Sequence, residues 1–314
     1  MWINGFRQDL ESVIYKAYVL LLLTTLFWAG NSIAGKFAVG HVSPMVIVIL
    51  RWASVMVALS LLNKKQIAAD WPKMRPRLAY LLTLGVLGFT VFSVALYYAL
   101  IYTTAINGSI LQGALPLFVF LASFVLFSSR IGREQALGFL LSFAGVIVIA
   151  MRGELANLLS LSVNFGDALV VVAVLAYGIY TAALRSKPRV HWTSLMFILC
   201  LGATLASLPM LALEAAQGAT MLPDAQGWLA VAYIIVFPSL LGQVFYIRAV
   251  ELIGANRAGL FVNLLPVWGA LLAVCLVGEA FHSYHAAALA MILAGIGLAE
   301  YGGRKLGRQG KSIS

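Results

Sequence analysis

The chain has 314 residues, of which 62% are hydrophobic and only 10% are charged, and its mean hydropathy is +0.96. A soluble domain would carry about 25% charged residues. Apolar runs of about 20 residues, long enough to cross a bilayer as helices, recur along the whole sequence. These values exclude an ordinary soluble protein and indicate an all-α polytopic membrane protein.

The formal net charge of +10 does not indicate a nucleic-acid partner. The basic residues cluster in short segments between apolar runs, which is topology information rather than a phosphate-binding surface. We therefore expect no nucleic acid as a partner.

The apolar runs predict ten transmembrane helices, most of them joined by short connections. The first run follows a segment with charges of both signs and no small-residue cleavage site follows it, so we interpret it as a retained helix rather than a signal peptide. The predicted spans lie near 18–37, 43–62, 79–101, 105–127, 133–151, 167–185, 192–213, 227–248, 257–278 and 284–302.

The distribution of positive charge supports this count. If the N-terminus is cytoplasmic, the inner segments hold every lysine and arginine except Lys36, Arg51 and Arg152. A missed or additional helix would destroy this asymmetry, so the positive-inside rule predicts that both termini are cytoplasmic.

The two halves of the chain resemble each other. The segment 94–150 aligns without gaps with 244–300, so that Leu115-Pro116 falls on Leu265-Pro266. In both copies a helix, a Leu-Pro step, a polar break and a small-residue helix follow in the same order, which indicates an internal repeat.

We predict four regions from this repeat. Because five helices is an odd number, the second repeat enters the membrane in the opposite orientation, as in secondary transporters with a substrate site at the midplane. The regions are a first five-helix repeat at 1–151, a periplasmic connector at 152–166, a second, inverted five-helix repeat at 167–303 and a basic cytoplasmic tail at 304–314.

Polar and aromatic residues inside the spans are candidates for binding a substrate. Trp28 and Asn31 lie one helical turn apart on the same face, and Tyr177 and Tyr180 repeat this spacing in the second half. Polar groups are costly in lipid, so this face is expected to meet a cavity or another helix. The other interior polar groups are Tyr97, Tyr98, Gln112, Gln243, Tyr246 and Asn263, of which all but Tyr97 are site candidates.

Arg51 and Lys36 are basic residues away from the inner side. A buried arginine costs about 2.5–3.5 kcal/mol on insertion scales. Arg51 either extends outward or pairs with helix-end carbonyls, or else it supplies, with Lys36, a positive potential near the outer mouth that suits the carboxylate or phosphate of a substrate.

Pro116 and Pro266 fall inside predicted helices. Each removes a backbone donor and favours a kink, and Gln112 and Asn263 lie close by, so both prolines are candidate hinges beside the site. Small residues two turns apart, at Gly138 and Gly145 and at their counterparts Ala288 and Gly295, predict close helix packing.

No motif for enzymatic or metal chemistry is present in the sequence. Cysteine and histidine lack metal-ligand spacing, no nucleophile–base constellation lies at membrane depth, and the histidines fall at predicted loop positions. We expect no catalytic residue, no cofactor and no metal. The carboxylates all lie near helix ends, so transport is either passive or coupled through a peripheral group such as Glu279 or Glu300.

Several stretches resemble a known family. LFWAGNSIAGKFA, SPMVIVILRWASVMVALSLL and the region from GANRAGLF to LAGIGL are similar to EamA-type members of the drug/metabolite transporter superfamily, and the resemblance covers 18–302. It implies ten helices in two inverted repeats around a central cavity, in a multi-pass bacterial inner-membrane exporter. The positions that match the family are Trp28, Asn31, Lys36, Arg51, Pro116, Tyr177, Arg185, Pro266, Gly278 and Glu279.

The resemblance also implies amino acids or related metabolites as cargo, and the predicted aromatic, positively charged cavity favours the YddG-like subgroup, whose members export aromatic and other neutral amino acids. The alternatives are a drug or toxic-compound efflux carrier, a phosphate-ester or nucleotide-sugar antiporter and, outside transport, a membrane receptor or scaffold. The expected partners are a small-molecule substrate and the lipid bilayer, and the expected assembly is a monomer or a weak homodimer.

Overall fold

The part of the chain that this computed structural model describes, residues 2–128, 132–151, 164–253 and 261–311, is helical and contains no β-strand. The first half contains α1 (Trp2–Ala38), α2 (Pro44–Leu62), α3 (Lys64–Met74), α4 (Leu78–Gly85), α5 (Phe92–Tyr102), α6 (Ala105–Gln112), α7 (Leu115–Phe127) and α8 (Arg133–Ala150). The second half contains α9 (Phe165–Ala183), α10 (Trp192–Ala216), α11 (Ala225–Ile234), α12 (Gly242–Ile253), α13 (Leu265–Leu272) and α14 (Ser283–Lys311). Most of the predicted connector, residues 152–163, lies outside the described residues.

Six helical segments among the described residues are long and apolar enough to cross a membrane. They are Tyr15–Ala38, Pro44–Leu62, Lys64–Tyr102, Phe165–Ser186, Trp192–Ala216 and Ala225–Val250. The pair α6 and α7, which meet at 41°, makes a seventh if it forms one broken span. Leu265–Val277 and Ser283–Ala299 are shorter apolar helices. Each of the ten predicted spans overlaps a helix, and the chain is a multi-pass membrane protein.

The segment 63–78, which we predicted to be a connection, is largely helical. In α3 the side chains of Asp70 and Met74 are buried, and the lysines face outward. Met74 packs with Leu81 and Ile198. A hydropathy window misses this short amphipathic helix because its exposed face is strongly basic.

Irregular backbone recurs at positions that the sequence repeat aligns. A π-helical segment, Val86–Val91, joins α4 to α5, and a second, Ile235–Leu241, joins α11 to α12. Ser128 follows α7, and Gly278 follows the π-helical segment Ala273–Val277 that continues α13. Both residues have a left-handed backbone conformation, with φ of 50° and 75°. The two halves therefore share local backbone features that residue identity alone reveals only weakly.

The bends predicted at Pro116 and Pro266 fall at breaks between two helices rather than inside one continuous helix. Each proline lies in the first turn of a new helix, α7 or α13, directly after a turn. Proline is well tolerated there because the first N–H groups of a helix have no intrahelical acceptor. The Leu-Pro step thus starts a helix, and the break before it is the point at which the chain changes direction.

The predicted small-residue contact forms within the chain, between α8 and α14. A Cβ atom on Gly138 would overlap the carbonyl oxygen of Gly295, and one on Gly145 would lie 2.9 Å from the carbonyl oxygen of Ala288. The two backbones therefore approach so closely that only glycine fits at these crossings.

Substituting these glycines tests the packing of α8 on α14. We expect Gly138→Ala to lower the thermal unfolding temperature of the protein in detergent, by a destabilisation of about 1–3 kcal/mol, because the new methyl group overpacks a backbone contact. Gly297→Ala in α14 is the matched control, since no atom lies within 4 Å of its added Cβ. Equal unfolding temperatures for both variants would contradict this packing.

Candidate substrate-binding site

Arg51 lies in the centre of the structure, and only 7% of its surface is exposed. Its Nε donates a hydrogen bond to Ser239 Oγ at 2.7 Å. Its Nη1 donates to the Tyr97 hydroxyl at 2.8 Å and to Asn31 Oδ1 at 3.3 Å. The Tyr97 hydroxyl in turn donates to Asn31 Oδ1 at 2.9 Å. Arg51 does not extend outward as one of the sequence alternatives required; interior side chains hold it in place.

The charge of Arg51 is not neutralised by a carboxylate of the described residues. The ion pairs in the part of the chain that the structure describes involve His41 with Asp224 and Lys73 with Asp70. Arg51 instead rests on the indole of Trp52, with Cζ 4.3 Å from the ring centroid. Its Nη2 donates to no described residue. The guanidinium therefore has donor capacity and positive charge left for an anionic ligand.

The second π-helical segment, Ile235–Leu241, supplies two polar groups to this centre. Ser239 accepts the Arg51 bond and donates to the carbonyl of Ile234 at 2.6 Å. The carbonyl of Pro238 accepts a hydrogen bond from Trp28 Nε1 at 3.1 Å. A π-helical turn breaks the regular helical hydrogen bonds and so leaves carbonyls that a neighbouring side chain can use.

The aromatic candidates from the two halves form two ring pairs. The rings of Trp28 and Tyr246 lie 5.3 Å apart, and those of Tyr177 and Tyr180 lie 5.2 Å apart. Tyr177 is close enough to Arg51 and Tyr246 to interact with both electrostatically. The structure thus pairs Trp28 with Tyr246 and Tyr177 with Tyr180, and Tyr177 connects these pairs to Arg51.

The three amide candidates other than Asn31 have different environments. Gln112 donates from Nε2 to Ser32 Oγ at 2.8 Å and to the carbonyl of Gly108 at 3.0 Å, so its amino group is used by the protein. Gln243 and Asn263 are half-buried, and their side chains make no hydrogen bond with a described residue. Asn263 belongs to the turn before α13, where irregular backbone is acceptable because it is enclosed or lines a cavity.

Lys36 and Tyr98 lie away from the Arg51 centre. Lys36 donates from Nζ to the carbonyls of Leu100 and Thr103 at 2.8 and 2.7 Å, so it closes the end of α5. Tyr98 donates its hydroxyl to Glu214 Oε2 at 2.8 Å. Both side chains therefore bond to the protein, and the expectation that they contact a substrate stays a prediction.

A buried polar network that the sequence did not predict lies near the ends of α5, α6, α9 and α14. Asp167, 1% exposed, accepts hydrogen bonds from the hydroxyl of Thr103 and from Asn107 Nδ2. Asn107 Oδ1 lies 3.0 Å from Nε2 of His285, which is also buried. Since Asn107 Nδ2 already donates to Asp167, its Oδ1 accepts, and His285 Nε2 carries the proton.

Two more carboxylates bind across the halves near this network. Glu279 accepts hydrogen bonds from the backbone N–H groups of Ala105 and Ile106, at 2.7 and 2.8 Å, and so caps the start of α6. Glu214, 4% exposed, accepts from Ser43 Oγ at 2.5 Å. Glu279 was a candidate for peripheral coupling; in the structure it stabilises a helix N-terminus.

A connection between the halves also forms in the loops on this side. His41 Nδ1 lies 2.7 Å from Asp224 Oδ2, and Asp224 Oδ1 accepts from the N–H of Gly227 at 2.8 Å. The hydrogen bond from the Gly227 N–H, together with the one from His41, lowers the pKa of Asp224. Its charged form, which caps α11, is therefore favoured.

The residues that the sequence did not single out share a recognisable signal. Ser239 and Trp52 are polar or amphipathic residues within apolar runs, like the candidates that were chosen. Only the helix face on which they lie distinguishes them from other residues of the same runs. Hydropathy does not reveal that face, because it gives depth in the membrane but not the direction of a side chain.

Comparison with known proteins identifies the family. A family model described as the EamA-like transporter family matches the chain twice, over residues 15–151 and 164–300. The chain belongs to the EamA-like transporter family. It is accordingly a membrane transporter, and the two matches cover both copies of the repeat.

Known relatives of this EamA-like protein are named as transporters. The chain is 24% identical over 256 residues to the "Uncharacterized transporter YyaM" of Bacillus subtilis, a match that covers 80% of this chain and 82% of that protein. An "Uncharacterized transporter" of Archaeoglobus fulgidus is 28% identical over 274 residues, covering 84% and 90% of the two chains. A solved crystal structure superposes with a TM-score of 0.61 at 21% identity, over 92% of this chain and 98% of the other, which shows a shared fold.

Removing the Tyr97 hydroxyl tests the network that holds Arg51 in this EamA-like protein. We expect Tyr97→Phe to destabilise the protein by about 1–3 kcal/mol, because Arg51 and Asn31 each lose a buried partner. Thermal unfolding in detergent measures the effect. Tyr102→Phe is the control, since that ring is 55% exposed and its hydroxyl bonds to no described residue; an equal loss in both variants would contradict the network.

Proposed function

We propose that this protein is a secondary transporter that exports small metabolites carrying a carboxylate, with amino acids as the leading class. The cargo would bind at Arg51 and pass outward across a bacterial inner membrane by alternating access. The family assignment supports transport, and the environment of Arg51 supports the class of cargo.

The single observation that carries the proposal is the buried guanidinium without a carboxylate partner among the described residues. Charge-assisted hydrogen bonds to arginine are about twice as strong as neutral ones, and a carboxylate can take two of them from one guanidinium. A substrate carboxylate at the free edge of Arg51 would supply the missing negative charge. A positively charged drug would instead be repelled from the same position.

The neighbouring side chains suit the rest of a neutral amino acid. The amide oxygens of Gln243 and Asn263 can accept from an ammonium group, and the rings of Trp28, Tyr177 and Tyr246 can enclose an apolar or aromatic side chain. Trp28, Asn31, Arg51, Tyr177, Tyr180, Gln243, Tyr246 and Asn263 therefore remain in the proposed site. Lys36, Tyr98 and Gln112 would act through the helices that they stabilise.

Alternating access would use the repeat. We propose ten membrane crossings in two inverted five-helix repeats, with both termini in the cytoplasm. The matched π-helical segments, the matched turns before Pro116 and Pro266, and the positive charge of the inner segments support this arrangement. Inverted repeats can exchange conformations across a fixed midplane site. The turns before the two prolines would then serve as hinges.

Replacing Arg51 tests the proposed role of its charge. Counterflow of labelled amino acids into liposomes preloaded with unlabelled substrate measures transport without an imposed driving force. For the cargo identified in this way, we expect Arg51→Met to reduce the transport rate at low substrate concentration about 10- to 100-fold, as expected for the loss of a charged hydrogen bond.

The control for this experiment is Arg189→Met, because Arg189 is exposed and lies in the connection between α9 and α10, outside the proposed site. It should transport at the wild-type rate. Folded Arg51→Met protein that transports as fast as the wild type would contradict the proposal. Counterflow of phosphate esters or lipophilic cations, with none for amino acids, would favour one of the alternative carriers.

A further inference from the structure

A shallow groove of about 210 Å³ lies beside α3, away from the Arg51 centre. α3 begins directly after α2, whose last residues, Leu61 and Leu62, are 72% and 79% exposed and face lipid. α3 therefore lies where the apolar layer gives way to the head groups of the bilayer. The groove is lined by Ser60, Lys64, Ile67, Ala68, Trp71 and Phe197.

The walls of the groove are apolar and its rim is basic. Ile67, Ala68 and Trp71 of α3 face Phe197 of α10, and Lys64 stands at the edge. Tryptophan is enriched at the membrane interface because its ring is apolar and its N–H is polar. This combination fits the glycerol region and first acyl carbons of a lipid, with a cation beside its phosphate.

The charges around α3 select the kind of lipid. The segment from Lys64 to Arg77 contains five basic residues and one acidic residue, Asp70. Asp70 is already used by the protein: it accepts hydrogen bonds from Gln66, Ser194 and the backbone of His191. Lys64 and Lys65 are exposed and have no ion-pair or hydrogen-bond partner among the described residues.

We propose that this groove binds one anionic phospholipid, with an acyl chain against Ile67, Ala68 and Phe197 and its phosphate beside Lys64 and Lys65. A zwitterionic lipid fills the same apolar space but leaves the excess positive charge uncompensated. Each lysine near an anionic lipid surface strengthens binding about fivefold, so the head group decides the preference.

Native mass spectrometry of the purified full-length protein tests the site, with phosphatidylglycerol and phosphatidylcholine of identical acyl chains as probes. We expect phosphatidylglycerol to be retained at a stoichiometry of one under conditions that strip phosphatidylcholine. The double variant Lys64→Gln/Lys65→Gln should weaken phosphatidylglycerol binding about 25-fold. Ala68→Trp, which fills the groove and leaves the charges unchanged, should also weaken it at least tenfold.

The matched control is Lys187→Gln/Arg189→Gln, which removes two exposed charges outside the groove. It should bind phosphatidylglycerol as the wild type does. Equal affinity of the wild type for both lipids would overturn the proposal. Equal losses of phosphatidylglycerol binding in the control and in Lys64→Gln/Lys65→Gln would also overturn it. Unchanged binding in Ala68→Trp would do the same, because both outcomes indicate diffuse electrostatic attraction rather than binding in the groove. Thermal unfolding of each variant identifies misfolded protein, and Ala68→Leu replaces Ala68→Trp if that variant fails to fold.

Discussion

The guanidinium of Arg51 must be stabilised inside an apolar helix bundle, and the centre of the molecule is arranged to meet this requirement. Its partners come from α1, α2, α5 and the π-helical segment before α12. One buried cation therefore joins side chains from both halves of the chain. Hydrogen bonds and a cation–π contact stabilise it without neutralising its charge, and this uncompensated positive charge makes the site suited to an anion.

Regular and irregular backbone occupy different places in the structure. α8 and α14 are regular helices whose glycines allow close approach, and no polar group of the proposed site lies on them. Around Arg51 the chain instead has π-helical segments and broken helices. In a membrane protein, irregular backbone is tolerated where other protein groups or a cavity cover it. The centre is thus built from the elements that can most easily rearrange their hydrogen bonds.

The sequence predicted most of the helical elements, because hydropathy and internal repetition record which segments are buried. It named Asn31 and Arg51 as separate candidates without predicting that they bond to each other, and the structure joins them. It did not predict α3, since amphipathic helices at an interface have low hydropathy. It placed His285 in a solvated loop, whereas Asn107 and the protein interior enclose that ring.

Other features were outside the reach of sequence patterns for a physical reason. Lys36 was expected to attract a substrate, yet its ammonium group closes the end of α5, because helix-end carbonyls in an apolar setting are strong acceptors. The π-helical segments left only faint traces, Gly88 and Pro238, at aligned positions of the two halves. Side-chain direction and the partners of charged groups depend on helix rotation, which a single sequence does not encode directly.

The most direct test of an anion-selective centre compares a substrate with its own amide. Counterflow competition would measure inhibition by the amino acid that the transporter carries and by its α-carboxamide, in which an uncharged amide replaces the carboxylate. Wild-type protein should prefer the carboxylate at least tenfold, and Arg51→Gln should lose most of this preference while still binding the shared side chain. Equal inhibition by the two compounds in wild-type protein, or an unchanged preference in folded Arg51→Gln, would contradict the account.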